Sequence, residues 1–223
     1  MVETTHPLPD VESRGRVERF APVERALHWV NATLFAVVMA TAAILYVGPL
    51  SVAFGRRELV RTIHVYFGLA LPLPWLIGFL GRWRGPLVDD ARRINRWSAD
   101  DRRWFFSRGR ARGVRLGKFN PGQKLNAAFT AGAIVVMLAT GSVMRWFGPF
   151  PVDWRTGATF VHDWTAIFLF VAITGHVGLA LADPEALGGM LRGWVSVEWA
   201  RRHRPEWHDE VVGADLPADS GRG

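Results

Sequence analysis

The 223-residue chain contains no cysteine. That absence excludes disulfides, thiolate-held iron–sulfur clusters and covalent c-type haem attachment, so any redox centre must be held by other donors, imidazole above all. No small-residue cleavage site follows the first apolar run, and about twenty polar residues precede it, so that run is read as its own insertion signal. An internal repeat of the kind that builds two-halved transporters is missing, as are a glycine-rich phosphate loop and a nucleophile motif. Acidic residues are missing from the middle of the long apolar runs.

Those runs dominate what is present. Four stretches are too long and too apolar for the core helices of a soluble domain, at Ala26–Val47, Arg61–Leu80, Lys124–Phe147 and Thr159–Ala182. The mean hydropathy is only +0.10 because charged loops and tails offset them. The expected fold is an all-α membrane protein, a four-transmembrane-helix bundle with cytoplasmic N- and C-termini. Its expected parts are an N-terminal segment, 1–25; the membrane domain, 26–182, with a cytoplasmic loop at 81–123; a C-terminal helical segment, 183–210; and a disordered tail, 211–223.

Orientation rests on the 27 lysines and arginines. The two tails and the middle loop hold 22 of them, and the two short connections hold 5. An excess of cationic residues marks the cytoplasmic side, which assigns both termini and the middle loop to the cytoplasm. The net charge of +7 is thereby accounted for. Trp97, Trp104, Phe105 and Phe106 lie among the arginines of the loop, a pattern that also suits nucleic acid, but topology explains the charge without a second function, and no nucleic-acid partner is expected.

Ionisable residues within spanning helices are rare and usually functional. His162 and His176 share the fourth run, fourteen residues apart, which on a helix is a rise of about 21 Å with both rings on nearly the same face. With the termini inside, His28 lies near the cytoplasmic end of the first span, His64 near the outer face, His162 at the outer level and His176 toward the cytoplasm. The depths match as His28 with His176 and His64 with His162, and two bis-imidazole haem sites stacked across the bilayer follow. A single histidine at a helix end is more often an interfacial or core residue; four that pair by depth are a different matter. Arg25 and Arg61 each stand three residues before a histidine, where they reach toward haem propionates or serve as snorkelling anchors. Gly68, Gly175 and Gly178 leave room for a flat porphyrin or for helix packing. His6, in the polar tail, and His203 and His208, in the tryptophan-rich segment Glu198–Glu210, are weaker candidates.

Before the third span stands the string Gly117-Lys118-Phe119-Asn120-Pro121-Gly122-Gln123-Lys124. Asn120 followed by Pro121 has the form of an N-cap and first helical residue. A helix N-terminus with free amides, an amide side chain, a glycine and two lysines also suits a quinone carbonyl.

Arg25-Ala26-Leu27-His28-Trp29, Ile63-His64 with Phe67-Gly68, the Gly117–Lys124 string, His162 with His176, and Trp199-Ala200-Arg201-Arg202-His203 with Trp207 together resemble the gamma, or cytochrome b556, subunit of membrane-bound formate dehydrogenases. The resemblance covers about residues 16–210, and the Gly117–Lys124 string is its most specific part; the histidine pattern also occurs in cytochrome b subunits of hydrogenases and thiosulfate reductases. It implies two b haems, ligated by His28, His64, His162 and His176, and a quinone site beside the inner haem drawing on Asn120, Gly122, Gln123 and Lys124, with menaquinone or ubiquinone as substrate. The implied partners are an iron–sulfur (beta) subunit and a molybdenum- or tungsten-pterin (alpha) subunit, the latter oxidising formate, in the bacterial cytoplasmic membrane. Electrons would then enter at the outer haem, leave from the inner one and reduce quinone with cytoplasmic protons, generating a proton-motive force. The arginine-rich loop Gly81–Leu116 departs from the pattern. The alternatives are a cytochrome subunit of a hydrogenase or another molybdoenzyme, and a haem-free membrane anchor or small transporter.

Overall fold

In the computed structural model of the chain, residues 15–213 are described. Two compact units emerge. One holds Val23–Val88 and Leu125–Leu179; the other holds the described residues up to Pro22, Asp89–Lys124 and those from Ala180 onward. In chain order the elements are β1 (Arg16–Glu18), α1 (Pro22–Tyr46), α2 (Gly48–Phe54), α3 (Arg57–Ala70), α4 (Leu73–Leu80), α5 (Arg84–Asn95), α6 (Ala99–Phe106), α7 (Pro121–Arg145), α8 (Val152–Ala182), α9 (Pro184–Arg192), β2 (Trp194–Ser196), α10 (Val197–His203) and α11 (Pro205–Gly213). The expected tail from 211 thus begins inside α11, and its remainder, 214–223, lies outside the described residues, as does His6.

The first unit is the four-helix membrane bundle. Its spans are α1, the pair α3–α4 taken together, α7 and α8, each long and apolar enough to cross a bilayer. Only a small part of each span is buried within the chain. Trp154, Phe160, Phe168, Phe170, Val171 and Leu179 on α8 are exposed, a display that water would penalise and lipid favours. At 31 residues α8 is about 46 Å long, more than the hydrocarbon core needs.

The second span differs from the unbroken run expected for it. It is interrupted at Leu71-Pro72, between α3 and α4. Pro72 has no N–H to give to the carbonyl of Gly68, which instead accepts from Leu71 N at 3.2 Å. The Leu71 carbonyl is met by Asn31 Nδ2 of α1 at 3.1 Å, and Asn31 is buried. In hydrocarbon a freed backbone group must find such a partner, which accounts for an amide side chain in the middle of an apolar helix. Gly78 of α4 is held to glycine by crowding, since a Cβ there would sit 2.5 Å from Leu27 Cδ1 and 2.8 Å from Leu87 Cδ1.

The second unit is built from short elements. β1 and β2 pair antiparallel with Val17 opposite Val195, and these two pack with Trp199, Ala200 and Trp207 into a small core. Gly193 ends α9 at φ 97, a left-handed conformation suited to glycine, and its carbonyl accepts from both Arg19 N (2.7 Å) and Phe20 N (3.0 Å). Asp183 caps α9 through Ala186 N at 3.0 Å, and the same carboxylate accepts from Trp199 Nε1 at 3.2 Å. Arg19 and Arg204, both buried, lie 4.6 and 5.4 Å from the Trp199 ring. Burial, and then the neighbouring Arg204 charge, pushes Arg19 down to about 9; burial pushes Arg204 down to about 10.

Candidate functional site

Within the membrane unit the four histidines come together in the expected pairs. The rings of His28 (α1) and His176 (α8) lie with centroids 6.2 Å apart and planes inclined by 60°. Those of His64 (α3) and His162 (α8) are 6.4 Å apart, inclined by 67°. First-row metals bind imidazole nitrogen at about 2.0–2.1 Å, and a ring centroid lies about 1.1 Å beyond its nitrogen, so two rings on opposite sides of one metal have centroids about 6.3 Å apart. Both pairs have that spacing. Among the described residues no group of three or more His, Cys, Asp or Glu side chains could hold a metal ion. A bare ion between two imidazoles would lack most of its ligands, whereas a metal already held in a macrocycle needs only these two.

The surroundings suit a macrocycle too. A Cβ added at Gly68, Gly175 or Gly178 would meet no other part of the protein, so the helix faces next to His64 and His176 are open to a flat group. Gly141 of α7 has a different part: a Cβ there would come within 3.4 Å of His162 Cε1, so this glycine lets the ring lie against the helix. Arg61, expected near a propionate, is exposed and paired with Glu58 one turn back at 2.5 Å. Arg25 is half-buried on the first turns of α1.

Two residues of this site escaped the sequence reading. Thr41 Oγ1 of α1 lies 3.0 Å from His64 Nδ1, and Thr140 Oγ1 of α7 lies 3.0 Å from His162 Nδ1. Both hydroxyls also donate to their own helix, Thr41 to Val37 O at 2.8 Å and Thr140 to Val136 O at 2.8 Å. Every spanning helix therefore contributes a side chain to the His64–His162 pair, two of them imidazoles and two hydroxyls. The His28–His176 pair has no such support among the described residues; His28 instead makes a T-shaped contact with Trp29 at 5.4 Å.

In the other unit, the string before α7 folds as its residues suggest. Asn120 Oδ1 accepts from Gln123 N at 2.8 Å, and Gln123 Oε1 accepts from Asn120 N at 3.0 Å, a reciprocal capping box with Pro121 at the first helical position. Arg204 Nη2 reaches the same Gln123 oxygen at 3.4 Å. At Gly122 a Cβ would lie 3.3 Å from Asn120 Oδ1, so glycine keeps the approach to the amide open. The two lysines do not stand free beside it. Lys118 Nζ bonds both oxygens of Asp90 at 2.7 Å, and Lys124 Nζ bonds Asp101 Oδ2 at 2.6 Å and Arg96 O at 2.8 Å, with both lysines buried. Asp101 also closes the capping box of α6 with Ser98, so one carboxylate ties the start of α6 to the start of α7. The weaker histidine candidates lie in this unit as well: His203 stacks on Trp199 at 5.1 Å, and His208 pairs with Asp209 at 2.9 Å.

Comparison with known proteins points in the same direction. Residues 19–193 match the family described as prokaryotic cytochrome b561. The formate dehydrogenase cytochrome b556(fdo) subunit of Escherichia coli K12 is 29% identical over 220 residues, covering 90% of this chain and 96% of that protein. The nitrate-inducible cytochrome b556(Fdn) subunit of the same organism is 28% identical over 214 residues, with 90% and 94% covered. The formate dehydrogenase cytochrome b556 subunit of Haemophilus influenzae is 26% identical over 222 residues, with 94% and 90% covered.

Proposed function

Because the chain belongs to the prokaryotic cytochrome b561 family, a family of haem-binding helical membrane bundles, we propose that it is the membrane cytochrome b subunit of a bacterial formate dehydrogenase. The observation that carries the cofactor part of this reading is the pair of imidazole–imidazole spacings, 6.2 and 6.4 Å, on one set of four helices. Each matches one haem b, which gives two per chain, with His28 and His176 as ligands of one and His64 and His162 of the other. When bound, haem supplies a one-electron carrier at each level, and the two levels form a path across the membrane between an iron–sulfur partner subunit and quinone.

The protein's own contribution is to hold the rings and shield them. α8 fixes two ligands on one rigid helix, fourteen residues apart, which sets the depth separation at about 21 Å. α1 and α3 supply the opposing ligands. The orientation drawn from the cationic residues puts the termini and the 81–123 loop in the cytoplasm of a multi-pass inner-membrane protein, with His28 and His176 on that side.

Quinone is assigned to the N-terminus of α7. The capping box presents the first amides of the helix, Gly122 leaves the approach to Asn120 open, and Gln123 holds the cap. Lys118 and Lys124, already neutralised by Asp90 and Asp101, support that terminus rather than offering free charge. The relatives' names support formate dehydrogenase as the parent complex; iron–sulfur and pterin subunits as its partners are what the sequence resemblance implies. Adding formate to membranes that contain the assembled complex should reduce the b haems, seen as a rise of their α-band absorbance. Haem that ignores formate but is reduced by hydrogen or another donor would assign the subunit to a different dehydrogenase.

A further inference from the structure

The outer imidazole pair is supported in a way that the inner pair is not, and the support is the same on both sides. Thr41 and Thr140 stand on the two helices that carry no outer ligand, and each places its hydroxyl oxygen 3.0 Å from the Nδ1 of an outer histidine. A threonine hydroxyl has one proton. In both residues that proton has a closer acceptor on its own helix, Val37 O at 2.8 Å for Thr41 and Val136 O at 2.8 Å for Thr140. The hydroxyl oxygen is thereby left to accept, so each Nδ1 is the donor. The proton on Nδ1 leaves the Nε2 lone pair of both rings for a metal.

We infer that Thr41 and Thr140 are positioning residues for the outer haem, which fix the tautomer of His64 and His162 and lower the midpoint potential of that haem relative to the inner one. This rests on the reading of the four histidines as haem ligands. An Nδ1–H that donates to an oxygen makes the imidazole a stronger electron donor, and a stronger donor stabilises the oxidised iron. The acceptor here is itself polarised by its bond to the helix carbonyl, so each support is a two-bond relay, Nδ1–H to Oγ1–H to C=O. His28 and His176 have no hydroxyl partner among the described residues. An outer site poised below the inner one is the order required of a subunit that receives electrons outside and delivers them inside.

The test is a spectroelectrochemical titration of the purified complex, for wild type and for Thr140→Val, Thr41→Val, Thr140→Ser and Thr41→Ser. The component absent from His64→Ala identifies the outer haem. Valine keeps the shape of threonine and removes the hydroxyl, so each Val variant should move the outer midpoint upward and leave the inner one in place. The two Val variants should show shifts of similar size, because both hydroxyls lie 3.0 Å from the Nδ1 they face. Serine restores the hydroxyl and should return the outer midpoint to its wild-type value. Unmoved midpoints in both Val variants would overturn the proposal, as would equal shifts of both haems or Ser variants as displaced as Val. Loss of haem from one Val variant leaves the decision with the other position and with the Ser pair. Failure of the underlying reading is seen separately: the wild-type protein would then hold no b haem, or His64→Ala would keep its full complement.

Discussion

The two imidazole pairs are alike in span and unlike in support. Both hold their rings 6.2–6.4 Å apart, as one metal between two imidazoles requires, and both take a ligand from α8. The outer pair draws on all four spans and has a hydroxyl behind each ring; the inner pair draws its ligands from α1 and α8, with Trp29 edge-on to His28. The shared spacing is the one that coordination of a metal by two imidazoles would demand, and that geometry leaves little freedom. Support behind the ring is where the protein has a choice, and the difference teaches that two pairs of equal span can be backed differently: a hydroxyl lies 3.0 Å from each ring of His64 and His162, and none is seen beside His28 or His176 among the described residues.

The largest effect that would break this comparison is the loss of a ligand. His64→Ala and His162→Ala should each remove one and the same haem, halving the haem content per chain, while His28→Ala and His176→Ala should remove the other. Pyridine haemochrome quantitation with potentiometric assignment of the surviving haem checks this. Four variants that each lose a different fraction, or retain both haems, would dissolve the pairing.

A kinetic lesion should separate quinone chemistry from haem binding. Asn120→Ala deletes both the acceptor of the capping box and the amide donor offered to a quinone carbonyl, and should slow reoxidation of dithionite-reduced protein by an added quinone analogue by about a hundredfold, the lower end for one lost charge-stabilising donor. Both haems should stay bound and reducible. Reoxidation at the wild-type rate would remove Asn120 from the quinone site and leave it a cap, whose loss costs about 1 kcal/mol.

A stability lesion sharpens the outer side. Asn31→Leu leaves the Leu71 carbonyl without its donor at the break in the span that carries His64. Such an orphaned group costs about 1–3 kcal/mol. On heating, the outer haem should be released before the inner one, as followed by loss of its low-spin absorbance; simultaneous release at the wild-type temperature would argue that the break is satisfied otherwise.

The smallest effect lies in the polar unit. Arg93 bonds both oxygens of Glu210, at 2.8 and 2.5 Å, and holds that carboxyl below its ordinary value. A carboxylate with a depressed folded pKa contributes stability above its unfolded pKa of about 4.3, and loses it as pH falls through the folded value. The pair is half exposed, so Glu210→Gln should cost less than about 1 kcal/mol at pH 7, and the gap from wild type should close in acid. Calorimetry at pH 7 and near pH 2, below the lowered folded value, reads the difference.

How much of this was legible in the sequence depends on which physical signal each element leaves. Spans advertise themselves by length and hydropathy, and four histidines at matched depths pair without any knowledge of packing. Asn120-Pro121 declares its cap because capping is local. Thr41 and Thr140 do not declare themselves, since a lone threonine in an apolar helix bonds its own i−4 carbonyl as a matter of course, and both do so here. Their second bond depends on helix rotation, which no local pattern encodes. The ion pair between Lys124 and Asp101 and the ladder of Arg16–Glu18 with Trp194–Ser196 are hidden for the same reason, being short-range contacts between distant parts of the chain. Pro72 and Pro74 could have signalled the break in the second span, but apolar length outweighed them.

The central claim is that this chain holds two haems by four named imidazoles. A dithionite-reduced minus oxidised spectrum with pyridine haemochrome quantitation, on the purified wild-type complex and on His64→Ala, tests it most directly. The account predicts two b haems per chain in the wild type and one in the variant. A folded, full-length preparation without b haem, or a variant with the wild-type complement, would contradict it and favour a membrane anchor.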